Sequence, residues 1–487
     1  MRKLNARQLV NLCNGIASEI FAEDGAISSV VIDSRKVSDG SLFIAIVGEN
    51  HDAHDYVAQV IARGNTYALV NADFALDLPN LIRVKDTTQA LGLLASNYRQ
   101  LFTIPVVAIT GSNGKTTVKE MLRSVCQTHF GAEHVLATSG NLNNHWGMPL
   151  TLLELNDNHK VAIIEMGMNH AGELDYLSKL AKPTLAVVNN VMFAHIGQFK
   201  SLAEIADAKG EIYNGLARDG VACIDVSNPF SAQWSAILNH IDHTGSLIYP
   251  SLTASKLRRK SSTSISNLFE CKEELTTAKI FDYGTAESGC YLAQFTEIGA
   301  RYITPSGELE VSLQILGQHN YFNALTVIAL AINLGCSLSS IKIGLENYTG
   351  YSGRLERKKA FNGALIVDDT YNANPDSVRA ALKAISVLPR PHWFIFADLK
   401  ELGSGELDFH REIGEQIQED GVDHLLTIGS LARHAAKYFN GAKIHFESNQ
   451  DIVKYCLSEL PKSGTLLIKG SHSMRLNEVA EQLTLLP

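Results

Sequence analysis

Eight consecutive residues, Thr110-Gly111-Ser112-Asn113-Gly114-Lys115-Thr116-Thr117, constrain this chain more than any others. They follow the apolar run Val106-Val107-Ala108-Ile109 and precede an amphipathic stretch, Val118 to Val125, with helical periodicity. A strand, a glycine loop and a helix in that order turn backbone N–H groups toward one point, where the helix N-terminus adds positive potential. Lys115 can reach the terminal phosphates of a nucleotide there, and the Thr116 hydroxyl can bind Mg²⁺. The expected nucleotide contacts are therefore Gly111, Ser112, Asn113, Gly114, Lys115, Thr116 and Thr117. A glycine turn that merely ends a strand does not require Gly-Lys-Thr-Thr at the helix start.

A strand feeding such a loop belongs in a mostly parallel sheet covered on both faces, and further apolar runs at Val161 to Ile164, Leu185 to Val188 and Val221 to Ile224 supply its neighbours. The chain has 487 residues, enough for roughly three domains of about 150 residues each. The expected fold class is α/β in three domains: a small α/β N-terminal domain over 1–88, a central parallel-sheet P-loop ATPase domain over 89–350, and a C-terminal Rossmann-like domain over 351–487. The first shows short β-rich runs (Ser29 to Ile32, Leu42 to Ile46, Tyr67 to Val70, Leu81 to Val84); the third begins after Tyr351-Ser352-Gly353 with strands at Ala364 to Val367, Trp393 to Phe396, His424 to Thr427 and Thr465 to Ile468. Residues 241–278 turn polar and basic, reading as a surface insertion or, alternatively, a polyanion site.

Charge narrows the partners. With 42 basic and 51 acidic residues the net charge is −9, so no global positive field exists to hold a nucleic acid by counterion release. Seven scattered cysteines without a Cys-x-x-Cys pair fit a reducing cytoplasm. No stretch approaches the roughly 20 apolar residues of a membrane span, and the basic start lacks the apolar core of a signal peptide. A cytoplasmic monomer is the expectation.

Glu165 ends the buried run Val161-Ala162-Ile163-Ile164, at the strand edge where ligands of parallel sheets collect. Beside Lys115 and Thr116 it reads as a Mg²⁺ ligand rather than a strand-end charge.

The loop has two residues between its glycines where the common phosphate loop has four, and in this it resembles the Mur ligases and the folylpolyglutamate synthases. Further motifs extend the likeness to Mur ligases over essentially the whole chain: Asp33-Ser34-Arg35, Gly48-Glu49-Asn50-His51-Asp52-Ala53-His54, Thr138-Ser139-Gly140-Asn141-Leu142-Asn143-Asn144, Glu165-Met166-Gly167-Met168-Asn169-His170, Leu316-Gly317-Gln318-His319-Asn320, Gly353-Arg354-Leu355-Glu356, Asp368-Asp369-Thr370-Tyr371-Asn372-Ala373-Asn374-Pro375-Asp376-Ser377 and Lys469-Gly470-Ser471. The resemblance implies an ATP- and Mg²⁺-dependent, ADP-forming ligase of peptidoglycan synthesis that works through an acyl phosphate. The Tyr371 to Ser377 and Glu165 to His170 strings narrow it to the branch that joins D-alanyl-D-alanine to UDP-N-acetylmuramoyl-tripeptide.

Residue roles follow the same resemblance. His195 resembles a metal-binding histidine and Lys209, 14 residues later, a lysine that can carry a carbamate, although an ordinary helix lysine is the equal alternative. Lys115, His195, Lys209 and Arg354 form the implied catalytic set; Thr116, Glu165, His195 and Lys209 the implied metal set. Asn320 resembles the adenine-contacting asparagine, with helix capping as its alternative. Arg354 can bring a guanidinium to the transferring phosphoryl group, or be a linker arginine. Ser34 and Arg35, with Asp33, Asp52 and His54, are implied to hold the uridine diphosphate, and by their residue types alone would be turn formers. Thr138, Ser139, Asn143, Asn144 and Asp369 complete the implied substrate contacts. Asn372, Asn374 and Asp376 suit a zwitterionic dipeptide, and equally a plain Asx-rich turn. Ala53, Ala397 and His472 depart from the family pattern, as does the insertion, which puts substrate contacts in question but not the reaction class. Rival readings are another Mur ligase, a folylpolyglutamate synthase-like ligase, a phosphate-loop kinase and a nucleotide-dependent switch.

Overall fold

The computed structural model describes residues 1–192, 199–239 and 278–484. His195 lies outside the described residues, as does the expected insertion apart from Ala278. Three larger sheets follow one another along the chain.

The central sheet is organised around the loop strand. Its six strands run in the order Lys279–Tyr283, Val221–Asp225, Leu185–Val188, Val106–Thr110, Val161–Glu165, Val135–Ala137, and all five pairings are parallel, as expected. Successive side chains of a strand point to opposite faces. Ala108 therefore packs in one core with Ala162, Ile164 and Val188, while Val107 and Ile109 pack in another with Ile163, Val187 and the loop helix Lys115–Phe130. Every residue of Val106–Thr110 is fully buried, which is why the strand reads as a continuous apolar run rather than an alternating one. Chain order reverses on either side of this strand, and the crevice beyond its C-terminal end is where an open α/β sheet binds ligands.

The first sheet has five strands in the order Ile16–Ala17, Leu81–Val84, Tyr67–Asn71, Ser41–Ile44, Ser29–Val31. The helix Thr87–Arg99, whose first turn contains the expected boundary at 88, joins it to the central sheet. Leu91, Leu94 and Tyr98 of this helix merge the cores of the two sheets into one. Arg99, 6% exposed, donates to the carbonyls of Phe102 (2.6 Å), Ile104 (3.2 Å) and Ala181 (3.2 Å), so each nitrogen of its buried guanidinium has a partner.

The third sheet orders as Glu356–Lys359, Leu365–Asp368, Thr465–Lys469, His392–Ala397, His424–Ile428, Ala442–Phe446. It is parallel except for its first pair. It carries separate cores on its two faces. The antiparallel edge strand Glu356–Lys359 is charged throughout, and sequence periodicity does not reveal it. The antiparallel sheet Tyr291–Phe295, Ala300–Thr304, Gly307–Val311 is likewise an addition to the expected pattern. Helix His319–Asn333 packs on the loop helix within the same core. Cys13, Cys126, Cys223, Cys290, Cys336 and Cys456 are all buried free thiols.

Candidate active site

The phosphate loop is shaped by two glycines and pinned by a neighbouring strand end. Gly114 sits at φ +76°, in the left-handed region. A Cβ there would also lie 2.6 Å from Asn323 Oδ1 and 2.7 Å from Asn189 Nδ2, so space and backbone both demand glycine. Asn190, just past the strand Leu185–Val188, accepts from Ser112 N through its carbonyl (3.0 Å) and from Asn113 N through Oδ1 (2.9 Å). Ser112 Oγ donates to the Met192 carbonyl (2.9 Å). Lys115 folds back onto its own loop, donating to the carbonyls of Gly111 (2.7 Å) and Ser112 (3.3 Å). Desolvation lowers its pKa, with Glu165 opposing the shift and Arg354 adding to it.

Behind the loop a buried polar cluster forms. The Thr116 hydroxyl donates to Glu165 Oε2 (3.0 Å), and the other carboxylate oxygen accepts from Asn143 Nδ2 (2.8 Å). Glu165, 2% exposed, is held by its backbone N–H to Thr138 Oγ1 (2.9 Å), and the Thr138 carbonyl is held by the buried Lys119 ammonium (2.6 Å). Arg354 reaches this cluster from the third segment. Its Nη2 donates to Thr116 Oγ1 (3.0 Å), and its guanidinium lies 4.1 Å from the Tyr371 ring centroid, in cation–π range. Among the described residues Arg354 Nε is buried without a hydrogen-bond partner. A buried cationic donor without a partner, on the same guanidinium that reaches Thr116, has the chemistry to take an anionic oxygen.

The turn presenting Arg354 is itself locked. Leu355 takes φ +50°, which its side chain disfavours, and its N–H donates to Asp369 Oδ1 (3.1 Å). Asp369 Oδ2 meets the buried Lys469 ammonium at 2.6 Å, and Lys469 also donates to the Asn372 carbonyl (3.0 Å). Asn374 caps the helix Pro375–Ile385, accepting from Ser377 N (2.8 Å), and donates through Nδ2 to Asn113 Oδ1 (2.7 Å). One asparagine thus terminates a helix of the third segment and touches the phosphate loop of the second.

Between these parts lies a cavity of about 700 Å³, lined among others by Asn113, Lys115, Glu165, Asn320, Arg354 and Asn374. That volume is in the range of small-molecule sites.

Comparison with known proteins matches three profiles in chain order: the Mur ligase family catalytic domain over residues 26–99, the Mur ligase middle domain over 109–331, and the Mur ligase glutamate ligase domain over 353–472. The UDP-N-acetylmuramoyl-tripeptide–D-alanyl-D-alanine ligase of Escherichia coli K12 is 35% identical over 486 residues, covering 99% of each chain. The chain belongs to the Mur ligase family. A crystal structure of MurF from Acinetobacter baumannii superposes with a TM-score of 0.84 at 30% identity over 99% of both chains. MurF from Thermotoga maritima, solved in complex with ADP, shares the fold, with a TM-score of 0.75 at 22% identity over 94% of this chain and 97% of that one.

This Mur ligase brings together, on its cavity wall, Ser112, Asn113, Gly114, Lys115, Thr117, Asn143, Glu165, Asn320, Arg354, Asp369, Asn372, Asn374 and Asp376 of the residues expected from sequence. Thr116 and Thr138 stand immediately behind it through Glu165. Asn320 Nδ2 donates to the Leu316 carbonyl (2.6 Å), so it braces the helix entry while the cap position falls to Gln318. Asn144 accepts from Trp146 N and Gly147 N at the start of the helix Gly147–Leu153, and Ser139 is exposed. Asp376 pairs with Arg379 (3.0 Å) in the first turn of its helix.

Ser34, Arg35, Asp52 and His54 do not line this cavity. Arg35 forks onto Asp33 (2.9 Å to each carboxylate oxygen). His54 Nε2 accepts from Asn71 N (3.0 Å), which leaves Nδ1 to donate to Asp52 (2.7 Å). Lys209 is 2% exposed, and burial, reinforced by the charge of Lys115, holds its pKa well below the lysine range. Asn189, Asn323 and Lys469 are additions to the expected site. In the sequence Asn189 shows only as a polar residue directly after a strand, Lys469 as one ending a strand, and Asn323 as one within an apolar helix.

Proposed function

We propose that ATP, the tripeptide end of UDP-N-acetylmuramoyl-tripeptide and D-alanyl-D-alanine meet in the cavity between the phosphate loop and the third sheet, where the enzyme joins them in cytoplasmic peptidoglycan synthesis. The juxtaposition that carries this reading is Arg354. It comes from the third segment yet donates to Thr116 of the loop, keeps a buried Nε without a partner among the described residues, and lines the same cavity as Lys115. A group so placed serves a phosphoryl group in transit between two substrates.

In the reaction, a carboxylate oxygen of the tripeptide attacks the γ-phosphorus, the bond from that phosphorus to the β-phosphate oxygen breaks, and ADP leaves. The dipeptide amine then attacks the acyl phosphate carbonyl, loses a proton, and the tetrahedral intermediate expels phosphate. Lys115, the loop N–H groups and Arg354 hold the anionic partners at bonding distance and neutralise the charge that moves between them. Asn320 contacts the purine. Ser34, Arg35, Asp52 and His54 in 1–88 hold the UDP moiety, 89–350 binds ATP, and Asp369, Asn372, Asn374 and Asp376 in 351–487 orient the dipeptide, with Thr138, Ser139, Asn143 and Asn144 along the tripeptide path.

Magnesium fits the donor set. Thr116 Oγ1 and Glu165 Oε2 are buried hard oxygens 3.0 Å apart at the phosphate end, and Mg²⁺ takes one or two carboxylates together with phosphate oxygens. Thr116 and Glu165 would hold it, joined by His195 and by Lys209 as a carbamate; bound there, it supplies charge neutralisation. Burial of Lys209 supports the modification, because only the neutral amine reacts with CO₂ and desolvation favours that form.

The test is release of ADP and inorganic phosphate by the purified enzyme. Turnover strictly dependent on both the UDP-muramoyl tripeptide and the dipeptide is expected. A phosphorylated product without free phosphate indicates a kinase, and hydrolysis indifferent to the amine indicates a switch; either overturns the proposal.

A further inference from the structure

A chain of largely buried hydrogen bonds links the helix His319–Asn333 to the phosphate loop along the cavity wall. Thr326, 3% exposed on the helix His319–Asn333, donates to Asn189 Oδ1 (3.0 Å). Asn189 Nδ2 donates both to the Asn113 carbonyl in the phosphate loop (3.0 Å) and to Asn323 Oδ1 (2.9 Å). Asn323 Nδ2 donates to Asn320 Oδ1 (2.9 Å), whose own amide donates to the Leu316 carbonyl. Tyr283, 1% exposed, sits 3.1 Å from Thr326 Oγ1.

The direction of this chain has one consistent solution. An asparagine amide has a donor end and an acceptor end, and the Asn113 carbonyl accepts only. Asn189 must therefore turn Nδ2 toward the loop and Oδ1 toward Thr326. Thr326 has a single proton and two acceptors in reach, Asn189 Oδ1 at 3.0 Å and the Phe322 carbonyl at 3.5 Å; the shorter bond goes to Asn189, whose Oδ1 needs a donor, and Tyr283 donates to Thr326. Reversing Asn189 would set two acceptors against each other at the loop in a buried place. Gly114 leaves no slack, since both Asn189 Nδ2 and Asn323 Oδ1 crowd the position its Cβ would take.

We infer that Thr326 is a positioning residue for nucleotide binding. Its hydroxyl fixes the Asn189 amide, and through it sets the phosphate loop at Asn113 and the purine-facing Asn320 in register with each other. The inference rests on the reading of this cavity as the ATP site. It touches neither the dipeptide nor the UDP moiety, so its effect falls on one substrate of three.

The experiment is steady-state kinetics with each substrate varied in turn, alongside titration of the enzyme with a fluorescent ADP analogue. Wild type comes first: absence of nucleotide binding overturns both the ATP reading and this inference, whereas every later outcome bears on Thr326 alone. Thr326→Val keeps the shape and removes the hydroxyl. It is expected to raise the KM for ATP and weaken analogue binding about tenfold, with kcat and the other two KM values within about twofold. Thr326→Ser is expected to restore wild-type values, and Tyr283→Phe to stay within about twofold, because Thr326 still donates to Asn189. An unchanged KM for ATP, a parallel rise in all three KM values, or failure of serine to rescue overturns the assignment. Should the valine variant not fold, Thr326→Ala, which cannot overpack the site, carries the same test.

Discussion

Replacing Arg354 with lysine separates charge from geometry at the point where two segments of the chain meet. The arginine makes one bond to Thr116 through Nη2, leaves Nε unpaired and stacks on Tyr371. Lysine keeps the positive charge but is a point donor without a fork or a stacking plane. Thr116 retains its bond to Glu165, so the polar cluster behind the loop survives. What disappears is the Nε donor, which the proposed mechanism assigns to the moving phosphoryl group. Removing one preorganised donor to developing charge costs about 2.7–4 kcal/mol, or roughly 100- to 1,000-fold in kcat. Loss of the stacked contact, about 0.5–1 kcal/mol, acts on the ground state and should raise the KM for ATP less than about tenfold. The assay is coupled ADP release at saturating concentrations of all three substrates, with thermal unfolding to confirm an intact fold. A kcat within about threefold of wild type would refute the assignment of the unpaired nitrogen to the transition state.

Three further outcomes are expected. Lys115→Ala should lower kcat on the order of 100-fold or more in the same assay if, as proposed, the lysine neutralises the terminal phosphates. If Lys209 carries a carbamate, buffer stripped of CO₂ should lower activity and added bicarbonate restore it, with intact-protein mass spectrometry at low voltage reading one added CO₂ that Lys209→Ala lacks; an activity indifferent to bicarbonate argues for a plain lysine. His410 is fully buried, accepts from Leu399 N through Nε2 (3.0 Å) and lies 2.6 Å from the Glu406 carbonyl through Nδ1, and burial lowers its pKa from 6.5. The unfolded chain therefore takes up a proton first as pH falls below 6.5, and stability present above that value is lost toward the folded pKa, with a slope of at most about 1.4 kcal/mol per pH unit. Urea unfolding between about pH 7.5 and about pH 5.5 should show a flatter slope for His410→Leu, and equal slopes would remove His410 from the account.

The parts of the candidate site legible in the sequence are those that one local element builds. Gly111 to Thr117 reads directly because a strand, a loop and a helix start already define the phosphate cradle, and Glu165 reads because it ends a buried strand of the same sheet. Asn374 is only half legible. Its place before Pro375 marks a helix start, but nothing local says that its amide reaches Asn113, far away in the chain. Asn189 and Thr326 are illegible for the same reason: an amide after a strand and a hydroxyl within an apolar helix acquire meaning only when packing sets them 3.0 Å apart. Among the elements, Glu356–Lys359 eludes periodicity because it carries four charges and pairs on one side, whereas the central strands announce themselves through burial on both faces.

That edge strand has a further consequence. It starts two residues after Arg354 and pairs only with Leu365–Asp368 among the described residues. Arg357 and Lys359 are exposed along it, while Lys358 pairs with Asp368 (2.6 Å) and Glu356 (3.1 Å), and cationic side chains on an open edge are a poor template for a strand from another molecule. The turn that carries Arg354 is therefore continuous with the rim of its sheet, tied to it by this one ladder and by the Leu355–Asp369 bond. A charged rim of this kind disfavours edge-to-edge pairing with another copy, so this edge of the sheet can stay open without a covering element.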